Sequence, residues 1–463
     1  MLGTDVDLQL LNEIAGEDRS TKASVESAVR AQLLRADARH PDRLHFTHAL
    51  VQETLYEELA QDQRALLHAQ VTRTLLDRSY VPEEDVEQVA HHAWEAGCEL
   101  PAKEALPSLL RAAEQAEQRL AYEQAETWLR RAMCLLRELP ANCRTTPELD
   151  QRLQIQLGQV LATIRGYGDA EAEVAFNRSR ELNAVTGTPD RPSVLWALCA
   201  AHLVTGRYEE SLAFSGRLRE ISKSDPDPVA VLGAAYGQGI VLHLRGQLPA
   251  ALVELERGVS AADRFCSGQG STLAKAFQHD PRVSCRTYDA FTHWLLGDRA
   301  AAMERREELL TLAGRDSRPS DRAFALYVDA VLAGLEGDID RAERAGALGV
   351  DVAAEAGLRY WKAMLEICLG WASAHTGDSN AGIARIRAAL AVLRTTRTLL
   401  RLPLHLGFLA QAQHQAGRLA DAQVTLRSLV AEVEQRNEHV YLNPRLPAAR
   451  LCAELLGPDA RVR

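Results

Sequence analysis

TGRYEES (205–211) returns in altered form as RGQLPAA (245–251), LGDRAAA (296–302), EGDIDRA (336–342), TGDSNAG (376–382) and AGRLADA (416–422). Each copy carries a glycine: Gly206, Gly246, Gly297, Gly337, Gly377 and Gly417, with Gly166 one step earlier. Every step is 40 residues except the 51 between Gly246 and Gly297. A fixed period of this size marks stacked units of a solenoid. The fifth residue past the glycine is small in all six copies: Ser211, Ala251, Ala302, Ala342, Gly382 and Ala422. After Gly166 that position is Glu171, so the first unit fits least well. Together these describe a helix pair. Glycine closes the first helix because it enters the left-handed conformation cheaply. The small residue then lets the second helix lie close against the first.

The turn resembles that of the tetratricopeptide repeat: glycine, a charged residue, an aromatic, then alanine. Tyr208 keeps the aromatic and most units have lost it. The usual period is about 34, so 40 implies longer helices or loops. The expected fold is all-α: a solenoid of tetratricopeptide-like helix pairs behind a small N-terminal winged-helix domain. The expected domains are 1–60 (winged helix), 61–147 (a helical junction with a first helix pair) and 148–463 (the repeat superhelix with a capping helix).

Composition agrees with a helical protein. Of 463 residues, 46% are hydrophobic, 25% charged and only 5% aromatic, with Ala, Leu, Arg and Glu dominant. The net charge of −10 argues against a broad nucleic-acid surface. The eight cysteines contain no CxxC, so no zinc knuckle or thioredoxin-like site is suggested; they read as reduced and largely buried, in a cytoplasmic protein. The N-terminus lacks a basic-then-apolar signal pattern. The longest uncharged stretch, 229–244, holds three glycines, Gln238 and His243. It reads as a buried repeat helix, not a membrane span.

Residues 1–60 read as a helix opening at Asp5, a second helix at Ser24–Leu34, a turn at 39–42, a strand at Leu44–His48 and a helix at Ala49–Leu59. That order is a winged-helix pattern. FTHALVQETLYEEL (46–59) resembles the winged helix of bacterial signal-transduction ATPases with a repeat sensor, the large LuxR-type regulators among them. LLHAQVTRTLLD (66–77), VAHHAWEAG (89–97), AYEQAETWLRRAMCLL (121–136) and NEHVYLNPRLPAARLCAELLG (437–457) continue the likeness. The resemblance implies a regulatory role, a protein partner such as a separate ATPase or regulator, and a winged-helix nucleotide-sensing position at His48. Departures from the family are as informative. No GxxxxGK[ST] phosphate loop occurs, and no C-terminal helix-turn-helix follows the repeats. A natural truncation, a split gene and a stand-alone adaptor all remain open. Without a nucleotide domain in this chain, His48 reads as structural.

No HExxH, GxSxG or GxGxxG is present, so no enzyme, cofactor or metal is expected. His91-His92 is a poor metal pair, since neighbours on a helix point about 100° apart. Residues 1–60 carry six basic against eleven acidic residues, which opposes DNA binding. The first helix of each unit is expected to line a concave groove with Trp196, His202, Tyr236, His243, Tyr288, Trp294 and Tyr327. These aromatics either face a guest or fill the core between helices. The 51-residue step suggests an inserted loop near 262–282, turning at Gly268 and Gly270, with Lys275 and Arg282 offering positive charge to an anionic or peptide-carboxylate guest. Two functions follow: a non-enzymatic regulatory scaffold that binds a protein partner, or a sensor holding a small molecule in the groove. No direct nucleic-acid or membrane binding is expected.

Overall fold

The computed structural model describes residues 5–15, 19–37, 43–78, 80–139 and 146–457. The side chains of residues 5, 19, 20, 146, 267–272 and 275 are likewise outside the description. So are the turn expected at 39–42 and most of the linker expected at 140–147. The chain forms two compact units, Met1–Leu153 and Gln154–Arg463.

The second unit is a run of helix pairs, and every predicted glycine sits at a turn. The pairs are Thr146–Arg165 with Ala170–Glu181, Pro192–Val204 with Tyr208–Ser224, Pro228–Leu244 with Leu248–Phe277, and Pro281–Leu296 with Arg299–Leu312. They continue as Pro319–Glu336 with Ile339–Glu355, Arg359–Thr376 with Ser379–Thr395, and Leu402–Gln415 with Leu419–Arg436, followed by a final helix Pro447–Leu456. All seven turn glycines have φ between 71° and 126°. The residue after the glycine donates back across the turn, as in Arg207 N to His202 O at 2.8 Å and Asp298 N to His293 O at 2.9 Å. That is the hydrogen-bonded helix end which a left-handed residue permits. Proline opens four of the first helices, at Pro192, Pro228, Pro281 and Pro319, where its missing N–H costs nothing.

Burial explains the small residue. Ser211, Ala251, Ala302, Ala342 and Ala422 are each fully buried. At Gly382 the contact is backbone to backbone: an added Cβ would lie 2.4 Å from the Gly370 carbonyl oxygen. First helices are apolar almost all round and buried, as Pro192–Val204 is from Val194 to Val204. Second helices bury one stripe. In Ile339–Glu355 the stripe is Ala342, Ala345, Gly346, Gly349, Val352 and Ala353, at helical spacing.

The expected loop near 262–282 is instead helix. Leu248–Phe277 runs 30 residues without a break, and Gln278, at φ 61°, ends it. Buried Leu273 and Phe277 hold the added turns down, and Tyr167 donates to the Phe277 carbonyl at 2.9 Å. Packing thus outweighs two glycines that each weaken a helix by about 1 kcal/mol.

The first unit opens with a three-stranded antiparallel sheet, β1 Asp5–Asp7, β2 Leu34–Ala36 and β3 Arg43–Phe46, in the order β1-β3-β2. Asp5–Asp7 is therefore a strand and not helix. Val6 pairs with Leu44, both buried, and the Asp7 carboxylate caps the following helix Leu8–Ala15 by accepting from Gln9 N at 2.8 Å. Helices Arg19–Arg30, Ala49–Glu58, Gln61–Asp77, Val86–Glu95, Ala102–Gln118 and Tyr122–Glu138 complete the unit. The last two form a pair whose turn uses Leu120, at φ 60°, in place of glycine, with Ala125 fully buried as the small residue. Among the described residues, no helix is long and apolar enough to cross a membrane, and the described cysteines are free thiols.

Candidate functional site

Within the second unit the helix pairs coil until late repeats meet early ones. The loop after Ser379–Thr395 reaches the second pair, where Leu399 N and Leu400 N both donate to the Val204 carbonyl at 2.7 and 2.9 Å. Gly168, after the first pair's turn, lies so close to this loop that a Cβ would sit 2.4 Å from the Thr396 oxygen. Tyr208 closes a second junction, donating to buried Glu438 at 2.6 Å.

The coil encloses a cavity with about 790 Å³ of atom-free space, counting its open side. The first helices supply its walls: Trp196 and Ala200, Tyr236 and Ile240, Tyr288, then Phe324. Their rings run in sequence, Phe277 to Trp196 at 4.6 Å, Trp196 to Tyr236 at 5.6 Å and Tyr236 to Tyr288 at 6.2 Å. Opposite them Phe324 lies 4.5 Å from Trp361, and Trp361 lies 4.8 Å from Tyr360. Half-buried Thr163, Tyr167, Gln278, Ser320, Tyr360 and Trp361 mark the open side.

At the inner end stands Arg401. It is 3% exposed, at φ 65°, a conformation that costs an ordinary side chain about 1–2 kcal/mol. Its guanidinium lies 4.7 Å from the Tyr288 ring centroid, 5.4 Å from Tyr327 and 5.9 Å from Phe291. Arg401 Nε and His279 Nε2 have no hydrogen-bond partner, and the Tyr288 hydroxyl makes no hydrogen bond of ordinary geometry, its one polar neighbour being the Arg401 guanidinium. Burial pushes His279 down to about 3, helped by Arg318. It does the same to His243 and His405, each also about 3 and each facing the Arg401 charge. All three are neutral at ordinary pH, while an arginine stays charged. Burial raises the Tyr288 phenol to about 12.

Trp196, Tyr236 and Tyr288 thus line one cavity. His243 sits behind them in a smaller chamber shared with Tyr288 and Arg401, hydrogen-bonded to Thr292 Oγ1 at 2.8 Å. Tyr327 also lies behind the wall, at 2.9 Å from His405 Nε2. His202 and Trp294 do not reach the cavity. His202 stacks on Phe214 at 5.3 Å, and Trp294 Nε1 donates to Glu336. Arg282 is closed off by its own helix cap, Asp280, at 2.6 Å, so it offers no free charge. The Lys275 side chain lies outside the description. The 262–282 segment still borders the site, through Gln278 and His279. Sequence reading missed Arg401. One signal was there: it is the only charged residue between Thr398 and Phe408.

In the first unit His48 is exposed at the start of Ala49–Glu58 and makes no capping bond, so it has no part in the packing. His91 and His92 diverge. His91 is exposed, whereas His92 turns inward to His68, with 2.7 Å between their Nδ1 atoms. Among the described residues no group of three or more His, Cys, Asp or Glu is placed to hold a metal.

No protein-family model matches this chain. An uncharacterised protein of Rhizobium meliloti (strain 1021) is 23% identical over 451 residues, which make up 95% of this chain and 42% of that protein. The chain therefore spans about two fifths of its curated relative. Among solved structures it is similar to a Rap protein complexed with competence and sporulation factor, at TM-score 0.53 and 13% identity, covering 83% of this chain and 96% of that one. It is also similar to a signal-transduction ATPase of the STAND type with a tetratricopeptide repeat sensor from Pyrococcus horikoshii, at TM-score 0.43 and 11% identity, covering 94% and 63%. The Rap likeness shows the fold: this chain is an all-α helical repeat.

Proposed function

We propose that the chain is a non-enzymatic regulatory module whose repeats sense a signal and pass it to a protein partner. The observation that carries this is the cavity, enclosed by the repeats and lined by rings, with the late-repeat loop clamped across the coil. A guest held there touches the first six pairs and the loop that leads into the seventh, so occupancy bears on how the whole coil closes. A catalytic role finds no support on this lining, where the ionisable groups are neutral histidine and tyrosines beside one arginine.

The finer reading places the module with the repeat sensors of signalling ATPase regulators, in the cytoplasm, with residues 1–60 as a winged helix. The β2–β3 hairpin between Arg19–Arg30 and Ala49–Glu58 supports that domain. Ala49–Glu58 buries none of its own residues and leaves Leu50 at 72% exposure, which suits contact with a partner such as a separate ATPase. Of the two expected functions, the small-molecule sensor is the one that the ring-lined cavity supports. The test is a melting screen of the full chain with small metabolites, ATP and ADP. A guest should raise Tm in the native chain and fail to do so in Ala200→Phe, whose added ring fills the cavity. A shift by ATP or ADP, or one unaltered in Ala200→Phe, would contradict the reading.

A further inference from the structure

We propose that the cavity is the seat of a small monoanionic organic acid, its carboxylate on Arg401 and its flat apolar body between Trp196, Tyr236, Phe324 and Trp361. This rests on the reading of the repeat unit as a small-molecule sensor and names its ligand class.

Arg401 is a full charge removed from water, and among the described residues it takes part in no ion pair; the rings around it attract a cation but leave its Nε without an acceptor. A buried charge in that state is unfavourable unless something pairs with it. Burial can discharge a histidine or a lysine, but an arginine has no such escape. The backbone holds it there at φ 65°, directly after a loop pinned by the Thr396 contact with Gly168 and by the hydrogen bonds of Leu399 and Leu400 to Val204.

The neighbouring polar atoms are of the complementary kind. Arg401 can only donate, and its Nε has no acceptor; the Tyr288 hydroxyl beside it and His279 Nε2 on the same lining can each donate or accept according to the guest. An obligate donor at the inner end, flanked by groups able to donate, suits a guest with several acceptor lone pairs at one end, and a carboxylate opposite a planar guanidinium is that group. The rest of the wall is apolar and aromatic, which sets the guest's body. Among the described residues one positive charge lines the cavity, so a monoanion balances it and a nucleotide or diphosphate leaves excess negative charge in a low-dielectric space.

The test is calorimetric titration of the full chain with benzoate and 1-naphthylacetate, each against its neutral amide, benzamide and 1-naphthylacetamide. The size of a hydrogen bond to a charged group predicts that the better acid binds about tenfold or more tightly than its amide. Arg401→Gln should bring the acid's affinity down to that of the amide. Tyr288→Phe, which keeps the ring, should weaken the acid a few-fold and leave the amide unchanged. Circular dichroism and melting establish that each variant is folded; if Arg401→Gln is not, the acid-to-amide ratio in the native chain and the Tyr288→Phe result decide. Equal binding of acid and amide in the native chain, abolished for both by Ala200→Phe, overturns the anion seat and keeps the sensor cavity. Absence of binding by all four probes overturns both.

Discussion

The two units each bury a polar cluster, and they resolve the cost in opposite ways. In the first unit His68 and His92 share a hydrogen bond at 2.7 Å, and Tyr56 reaches His68 Nε2 at 3.1 Å. Burial drives the two imidazoles down, His68 to about 4 and His92 to about 3, so both are neutral and share one hydrogen bond between their Nδ1 atoms, while the uncharged His92 Nε2 stays unpaired at the smaller cost of a neutral group. In the second unit Arg401 is equally hidden but cannot shed its proton, and its Nε is left without an acceptor. A cluster that can discharge is a packing solution. One that cannot, at the wall of a cavity, is an incomplete arrangement that a guest completes.

The largest effect should come from forcing the first cluster into the condition of the second. His68→Lys places an ammonium where the site is built for a neutral ring. A buried charge left without a partner is expected to cost about 3–5 kcal/mol. Urea denaturation should show the first unit unfolding early. An unchanged midpoint would mean that buried charge is cheap in this protein, and the contrast with Arg401 would lose its basis.

Acid supplies the next test. Each buried histidine has a folded value below its ordinary 6.5, so the unfolded chain takes protons that the fold refuses. Stability is therefore level above about pH 6.5 and falls as pH drops toward 4, where His68 itself begins to protonate. His243, His279 and His405, each at about 3, impose the same loss on the second unit over the same interval and slightly below it. Urea midpoints at pH 7 and pH 5 measure this; equal midpoints would show that these rings are already charged or already wet.

Much of this was legible from spacing. The recurring glycine and the small residue five later located the turn inside each pair and a close helix contact in six of the seven pairs, because both are demands of the local backbone. The same phase puts Trp196, Tyr236 and Tyr288 on first helices. What a period does not encode is how many pairs complete one turn of the coil. That number brings residue 401 to residue 288, and it arises from packing angles summed over several pairs. So Arg401 went unread, while Arg282, adjacent in sequence to the expected groove, was given a charge that Asp280 already neutralises. The Asp5–Asp7 strand was missed for a similar reason, since its partner β3 is almost forty residues away. Gly268 and Gly270 suggested a loop by local propensity, and long-range contacts at Leu273 and Phe277 overrode it.

The smallest effects sharpen the contrast. Tyr56→Phe removes a made hydrogen bond and should cost about 1 kcal/mol. Tyr288→Phe removes a hydroxyl with no hydrogen bond of ordinary geometry and should leave the stability of the empty protein within about 0.5 kcal/mol. Equal losses for the two would indicate that Tyr288 is satisfied in solution, and that the cavity wall has no open donors.

The most direct measurement compares melting of the native chain and Arg401→Gln, each with and without saturating 1-naphthylacetate. Without the acid the variant should melt at or above the native temperature, because a buried unpaired charge has been removed. With the acid only the native chain should rise. A variant that melts well below the native chain in the absence of acid, with the acid shifting both alike, would show that Arg401 holds the coil together and awaits no guest.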